Sequence, residues 1–305
     1  MSLAPRVVVA HRRSELDELL DRHGTRGQAE FFLRTRGRDL DDVQRRHDAL
    51  AEALAEVARA VPAPWRRGAV ERTDLSRFRF DPEDLVVVVG QDGLVANVAK
   101  YLDGQPVLGV DPEPGRNPGV LVRHAPGEAV SLLPGLAGGA VRLQRRSMVE
   151  AATDDGQSLV ALNEVFLGHP GHQSARYRIS VPGRGGDGGP GPVGERQSSS
   201  GVLVGTGTGA TGWCASLARE RARPPVLPGP EEDRLAWFVR EAWPSPVTGT
   251  ELTAGVLAGD ERLRVVVESD PLVVFGDGIE ADRLVTGWGQ EVRIGLARRR
   301  LALVA

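Results

Sequence analysis

Two glycine-rich turns and one amide–acid pair hold most of the residues in this 305-residue chain that could do chemistry. The first turn, Gly90-Gln91-Asp92-Gly93, follows the apolar run Leu85–Val89 and precedes LVANVAKYL, which can form a helix. A tight turn of this kind exposes backbone N–H groups, and the helix N-terminus behind it adds positive potential, so together they form an anion cradle. A carboxylate at Asp92 would repel a phosphate there unless a metal intervenes or the carboxylate has a proton to accept. A base poised for a hydroxyl would serve phosphoryl transfer. The alternative is a common D-G turn in which Asp92 caps the helix.

The second turn is Gly205-Thr206-Gly207-Thr208-Gly209-Ala210-Thr211-Gly212-Trp213, between GVLV and the helical-looking CASLARERAR. Gly207, Gly209 and Gly212 satisfy G-x-G-x-x-G, a dinucleotide-binding fingerprint. Alone the pattern is weak, and here it lies deep in the chain after strand-like segments rather than opening a βαβ unit. The threonines can donate to phosphates or cap the helix. Trp213 either stacks on a base or packs beneath the loop. Cys214, the only cysteine, has no histidine nearby in sequence and reads as a small buried residue. The pair Asn163-Glu164 interrupts the apolar LVALNEVFL. It is either a cap or turn between strands, or a polar pair on an inner face where it must find partners, such as sugar hydroxyls or a carboxamide.

The elements that must position these turns fall into two halves. VVVAH (7–11), Leu85–Val89 and PVLGV (106–110) read as buried strands. Residues 42–61 carry an apolar stripe at Leu50, Leu54, Val57 and Val61 that predicts a helix ended by Pro62. The charged stretch 12–41 gives no clear assignment. The first 125 residues thus predict an open α/β, Rossmann-like domain with mostly parallel strands. From residue 126 to 305 the chain reads as β-rich: ALNEVFLG, SARYRISV, GVLVG, ERLRVVVES, LVVFGDG, EVRIGL and LALVA are separate strand candidates. The Gly/Pro-dense stretch 182–195 is expected to be a mobile loop and 221–231 a proline-rich connection.

Composition sets outer bounds. Hydrophobic residues make up 41% and charged residues 26%, as in soluble globular proteins, and the net charge of -3 does not suit nucleic acid. No stretch approaches the roughly 20 apolar residues of a membrane span. MSLAPRVVVAHRR has no basic leader or long apolar core and reads as a first strand rather than a signal peptide. A single cysteine excludes an intrachain disulfide and a Cys-rich metal site. A cytoplasmic protein with neither nucleic-acid nor membrane partners is expected. The basic clusters Arg66–Arg67, Arg145–Arg146 and Arg298–Arg300 read as solvated faces, with one of them open to a phosphate-rich ligand as the alternative.

Taken together, these sites resemble the NAD kinase family. Its G-G-D-G-T turn is similar to Gly90–Leu94, its P-V-[LI]-G-[VI]-N strand end to PVLGVD (106–111), and its N-E pair to Asn163-Glu164. Its S-T-P-T-G-S-T-A-Y loop is similar to Gly205–Trp213, and Asp277-Gly278 fits a late D-G. The G-T-G-T-G loop, its closing Trp and GVDPEPGR look nearest to the mitochondrial-type NAD kinases. The resemblance covers about residues 85–300.

It implies an α+β two-domain fold, with the C-terminal tail packing back onto the first domain, and an active site between the domains. It implies phosphoryl transfer from ATP or polyphosphate, with Mg2+ bridging donor phosphates, to the adenosine ribose 2′-hydroxyl of NAD. Asp92 would be the general base. Gly90, Gln91, Gly93 and Asp111 would line the nucleotide site, and Asn163 and Glu164 would hold the NAD end. Thr206, Thr208, Gly209 and Thr211 would surround ribose and phosphate oxygens, with Trp213 and Ser216 nearby. No residue is assigned to a protein-held metal, and a homodimer or larger homo-oligomer is implied. Three positions depart from the family pattern: Gln91 for glycine, Leu94 for threonine and Asp111 for asparagine. They leave open a kinase with another acceptor, or a catalytically silent paralogue that binds or senses dinucleotides.

Overall fold

A computed structural model describes residues 4–116, 119–182 and 193–305, Val193 by its backbone alone. The expected mobile loop at 182–195 falls mostly on residues 183–192, outside the described residues; from Val193 the chain is already in a strand. The chain forms two compact units, residues 1–144 with 302–305, and residues 145–301.

In the first unit the unassigned stretch 12–41 is mostly helical. Ser14 and Asp17 form a reciprocal capping box that starts α1 (Glu15–His23), and Thr25 caps α2 (Arg26–Arg34). Asp39 caps α3 (Leu40–Ala60), and Val61, extended ahead of Pro62, ends it. Leu16, Leu19, Ala29, Leu33, Leu40 and Val43 join the three helices in one cluster. The strands β1 (Arg6–His11), β2 (Arg66–Glu71), β3 (Asp84–Val89) and β4 (Pro106–Val110) form a parallel sheet in the order β2-β1-β3-β4. Every residue of β3 is buried, which is why it reads as a continuous apolar run rather than an alternating one. The helix α4 (Asp92–Ala99) follows β3 directly, and α5 (Ala129–Ala137) packs with α3 on β1, β3 and β4. Ala302 and Leu303 pair in parallel with Pro106 and Val107, and Val304 enters the same core.

The second unit is an antiparallel sandwich. Its strands are β5 (Leu143–Thr153), β6 (Ser158–Ala161), β7 (Glu164–Gly168), β8 (Ala175–Val181), β9 (Val193–Ser199) and β10 (Gly201–Gly205). After α6 (Trp213–Arg219) come β11 (Arg234–Arg240), β12 (Ala254–Ala258), β13 (Arg262–Val267), β14 (Leu272–Gly276), β15 (Leu284–Thr286) and β16 (Glu291–Val304). One sheet runs β16-β13-β8-β9 with β5 and β6 alongside; the other runs β12-β11-β10-β7-β14-β15. EVRIGL and LALVA are therefore not two strands but one: the intervening arginines carry β16 on without a break. Inner positions such as Val165, Leu167, Val202, Val204, Leu235 and Val239 build the core between the sheets. The alternate positions Phe166, Leu203, Ala236 and Phe238 face outward, where Cys214, Leu217 and Ala218 of α6 cover them. Burial on both faces explains why β10 and β11 also lack polar alternation.

Candidate functional sites

In the first unit, β3 delivers the chain into the Gly90 turn and α4 starts at once. Gly90 has φ 156°, and a side chain there would press on Leu94. Gln91 precedes the helix with φ -108°, so the position that departs from glycine needs no left-handed backbone. Leu94 is buried, and its N–H donates to the Gln91 carbonyl at 2.8 Å.

Asp92 does not cap the helix N-terminus. Its Oδ1 accepts from the N–H groups of Leu121 (2.9 Å) and Val122 (3.0 Å), and its Oδ2 from Val120 N–H (2.7 Å). These bonds fix the 119–122 segment across β4. A Cβ on Gly109 would lie 2.1 Å from the Leu121 carbonyl oxygen, so the glycine of PVLGV exists to let that segment pass. Asp111 closes the turn after β4: its Oδ1 accepts from Glu113 N–H at 2.9 Å, a bond an asparagine could equally make. A cavity of about 390 Å3 opens beside these residues, lined by Gly90, Gln91, Gly93, Asp111, Pro112 and Val122.

In the second unit three strand ends meet. β7 lies between β10 and β14, antiparallel to both, so it begins where they finish: Glu164 stands opposite Gly205, and Val165 opposite Gly276. Asp277, next after β14, sits at φ 54°, an uncommon left-handed conformation for a residue with a side chain. Its carboxylate accepts from Leu162 N–H (2.9 Å) and Asn163 N–H (2.7 Å), and its own N–H donates to the Glu164 carbonyl at 3.1 Å. Asp277 thus fixes the bend that presents Asn163 and Glu164.

The glycine loop is held by the same bend. Thr206 is buried; its hydroxyl donates to the Leu162 carbonyl at 2.6 Å and accepts from the N–H groups of Thr208 and Gly209. Its N–H donates to the Asn163 carbonyl at 2.9 Å. A Cβ on Gly207 would lie 1.9 Å from the Gly229 carbonyl oxygen, and one on Gly209 would lie 2.3 Å from that of Asn163. These glycines serve the packing of the loop onto its own scaffold, and the loop joins antiparallel strand to helix, not the βαβ turn of a dinucleotide-binding fingerprint. Thr206 and Thr208 point inward, whereas Thr211 and Ser216 are exposed.

Glu164 differs from Asp92, Asp111 and Asp277. Among the described residues no hydrogen bond or ion pair engages its carboxylate. Burial, and secondarily the charge of Asp277, push it up from 4.5 to about 7. Burial also pushes the Cys214 thiol up to about 12, as expected of an inert buried residue.

Trp213 stacks on Phe166, centroids 5.5 Å apart, with the Arg240 guanidinium 5.3 Å from the Trp213 centroid. Arg240 Nε is buried and has no hydrogen-bond partner among the described residues. A cavity of about 400 Å3 opens here, lined also by His169, His172 and Phe275. Four contributors, Asp277's clamp, Phe166, Arg240 and Arg146, carry little signal in the sequence. Arg146 corrects the expectation of a solvated cluster: Arg145 is exposed, but Arg146 is buried in β5 with Nη1 3.4 Å from the Thr208 hydroxyl.

No family model matches the chain. Three curated relatives are NAD kinases. That of Methylococcus capsulatus is 32% identical over 139 residues, 44% of each chain; that of Chlorobaculum tepidum is 24% identical over 71% of this chain and 69% of its own. That of Cupriavidus pinatubonensis is 28% identical over 63% of this chain and 64% of its own. The match thus spans less than half the length of the Methylococcus protein. Among solved structures, yeast NADH kinase complexed with NADH superimposes with a TM-score of 0.59 at 15% identity, covering 100% of this chain and 84% of that one.

Proposed function

We propose that this chain, a member of the NAD kinase family with that family's two-domain fold, transfers a phosphoryl group from ATP or polyphosphate to the adenosine ribose 2′-hydroxyl of NAD. The observation that supports this most is the convergence of Asn163, Glu164 and the 206–213 loop at the start of β7 under the clamp of Asp277. An amide and a carboxyl on consecutive residues of one clamped bend suit the vicinal hydroxyls of a ribose, one by donating and one by accepting. The aromatic cavity with Trp213, Phe166 and Arg240 offers a ring surface and a cation for the rest of the dinucleotide. In the first unit, the Gly90 turn and the start of α4 suit donor phosphates.

Loose phosphoryl transfer leaves little covalent work for protein groups, so positioning and charge stabilisation dominate. Bound Mg2+ would neutralise charge on the donor phosphates. An ion of this kind is held chiefly by phosphate oxygens and water, with few protein ligands. The family resemblance also supports a cytoplasmic homo-oligomer.

The test is direct. Purified protein with NAD, ATP and Mg2+ is expected to form NADP, read with an NADP-specific enzyme, and calorimetry is expected to show NAD binding. Tight NAD binding without NADP from any phosphate donor would instead favour a silent, dinucleotide-sensing paralogue, a reading that the engaged Asp92 carboxylate also suits.

A further inference from the structure

We propose that the first unit carries a further ligand site, a groove between α3 and the β1–β2 edge of the sheet, and that it takes a medium-chain fatty acid anion. β2 is the edge strand, in register with β1 through Val7↔Arg67, Val9↔Ala69 and His11↔Glu71. Alternate residues of a strand share a face, so Val7, Val9 and His11 line up beside Arg67 and Ala69. Above them α3 puts Val57 and Val61 into the core with Val7, and Leu54 at its margin. The face over β2 stays open: Ala58 and Ala69 are exposed, and Val9 and Leu54 are half-buried. What remains is a cavity of about 420 Å3, lined mainly by apolar side chains.

Size and charge select the occupant. From Val7 to His11 the groove follows four residue steps of strand, about 13 Å. Nine residues line it, whereas a stable protein interface takes about 20–30 a side. One flexible chain therefore suits it better than a second protein surface. Among the described residues no acid lines the cavity, and Arg67 is its one permanent cation. The Arg67 side chain donates to the Val61 carbonyl at 2.9 Å and makes no other hydrogen bond or ion pair among the described residues. A guanidinium has five N–H donors in a fork that matches a carboxylate, so most of this one is open to an anion. At the other end His11 stands opposite Glu71, whose charge would repel a carboxylate. The head group thus lies at Arg67 and the tail runs toward His11. Apolar contact along the walls supplies affinity in proportion to chain length, and the ion pair fixes direction.

The experiment is calorimetry on the full chain without nucleotide, using hexanoate, octanoate, decanoate and dodecanoate below their micelle concentrations, and 1-octanol as the uncharged control. Affinity is expected to rise about two- to fourfold per methylene and to level off once the chain outgrows the groove. Octanoate should bind several-fold more tightly than octanol. R67Q should bring octanoate down to the octanol level and leave octanol unchanged. A58W, which sets an indole into the groove from an exposed helix position, should abolish binding of every chain. Absence of binding in wild type, an affinity indifferent to chain length, or R67Q binding octanoate as wild type does would each overturn the assignment. So would an oligomer that falls apart when decanoate is added, seen by light scattering, since the groove would then be a contact between copies. None of these measurements involves phosphoryl transfer, so the kinase reading stands or falls separately.

Discussion

Burying Glu164 beside Asp277 without a cation works against folding at any pH where it is ionised. Its folded-state value of about 7 lies above the ordinary 4.5. A raised value means the folded state holds the proton more tightly, so the benefit is complete below about pH 4.5. It is lost as pH climbs through 4.5 to about 7, and above that the ionised carboxylate is a net cost. Linkage puts this cost at about 3 kcal/mol. E164Q should therefore be more stable than wild type by about that amount at pH 8, and nearly equal to it at pH 4.5. Urea unfolding at the two pH values measures this, and matching midpoints at pH 8 would sink it. A site residue whose removal stabilises the fold is the expected trade between stability and function. The sequence marks Glu164 as a polar break in an apolar run, but Asp277 lies 113 residues downstream, and no local pattern ties its carboxylate to this bend.

At the scale of elements, the glycines of the two turns have different duties. Gly207 and Gly209 face backbone carbonyl oxygens, whereas a Cβ on Gly93 meets nothing within 4 Å. G207A and G209A should each cost at least about 1–3 kcal/mol, the usual penalty of overpacking, because each new methyl would meet a backbone carbonyl, of Gly229 or of Asn163, rather than a flexible side chain. G93A should leave thermal stability nearly unchanged. If donor phosphates approach that backbone, its KM for ATP should still rise several-fold, and an unchanged KM would argue that they do not. Both turns are visible in the sequence as turns. Their partners are not, since a G-x-G-x-x-G pattern looks the same whether its glycines admit a pyrophosphate or a neighbouring strand. Strands followed the same rule: PVLGV was legible to the residue, because one short apolar run maps onto one buried strand. β16 was not, because its arginine-rich middle reads as a break although the backbone stays extended. The helices in 12–41 are obscured because each is short and its few apolar positions, such as Leu16 with Leu19 and Ala29 with Leu33, stand among many charges, so that only the caps Ser14, Thr25 and Asp39 mark where one ends and the next begins.

At the scale of the whole molecule, the chain enters the second unit at Arg145 and returns to the first at Ala302. Residues 302–305 therefore belong to the stability of the unit built mainly from residues 1–144. Ending the chain after Leu301 would remove the parallel partner of Pro106 and Val107 and take Val304 out of the core. Losing buried Ala302, Leu303 and Val304 together with an edge of backbone pairing should cost about 4–7 kcal/mol. Limited proteolysis should then cleave first within the first unit. A truncated protein as resistant there as wild type would contradict this.

That return has a consequence in time. During synthesis β4 leaves the ribosome about 200 residues ahead of its final neighbour, which at about 5–20 residues per second is roughly 10–40 s. For that interval the nascent first unit carries an apolar strand with an open edge, the kind of surface that pairs with other chains. Translation speed and early chaperone capture thus bear on the yield of this protein through β4, far from either site where chemistry is proposed.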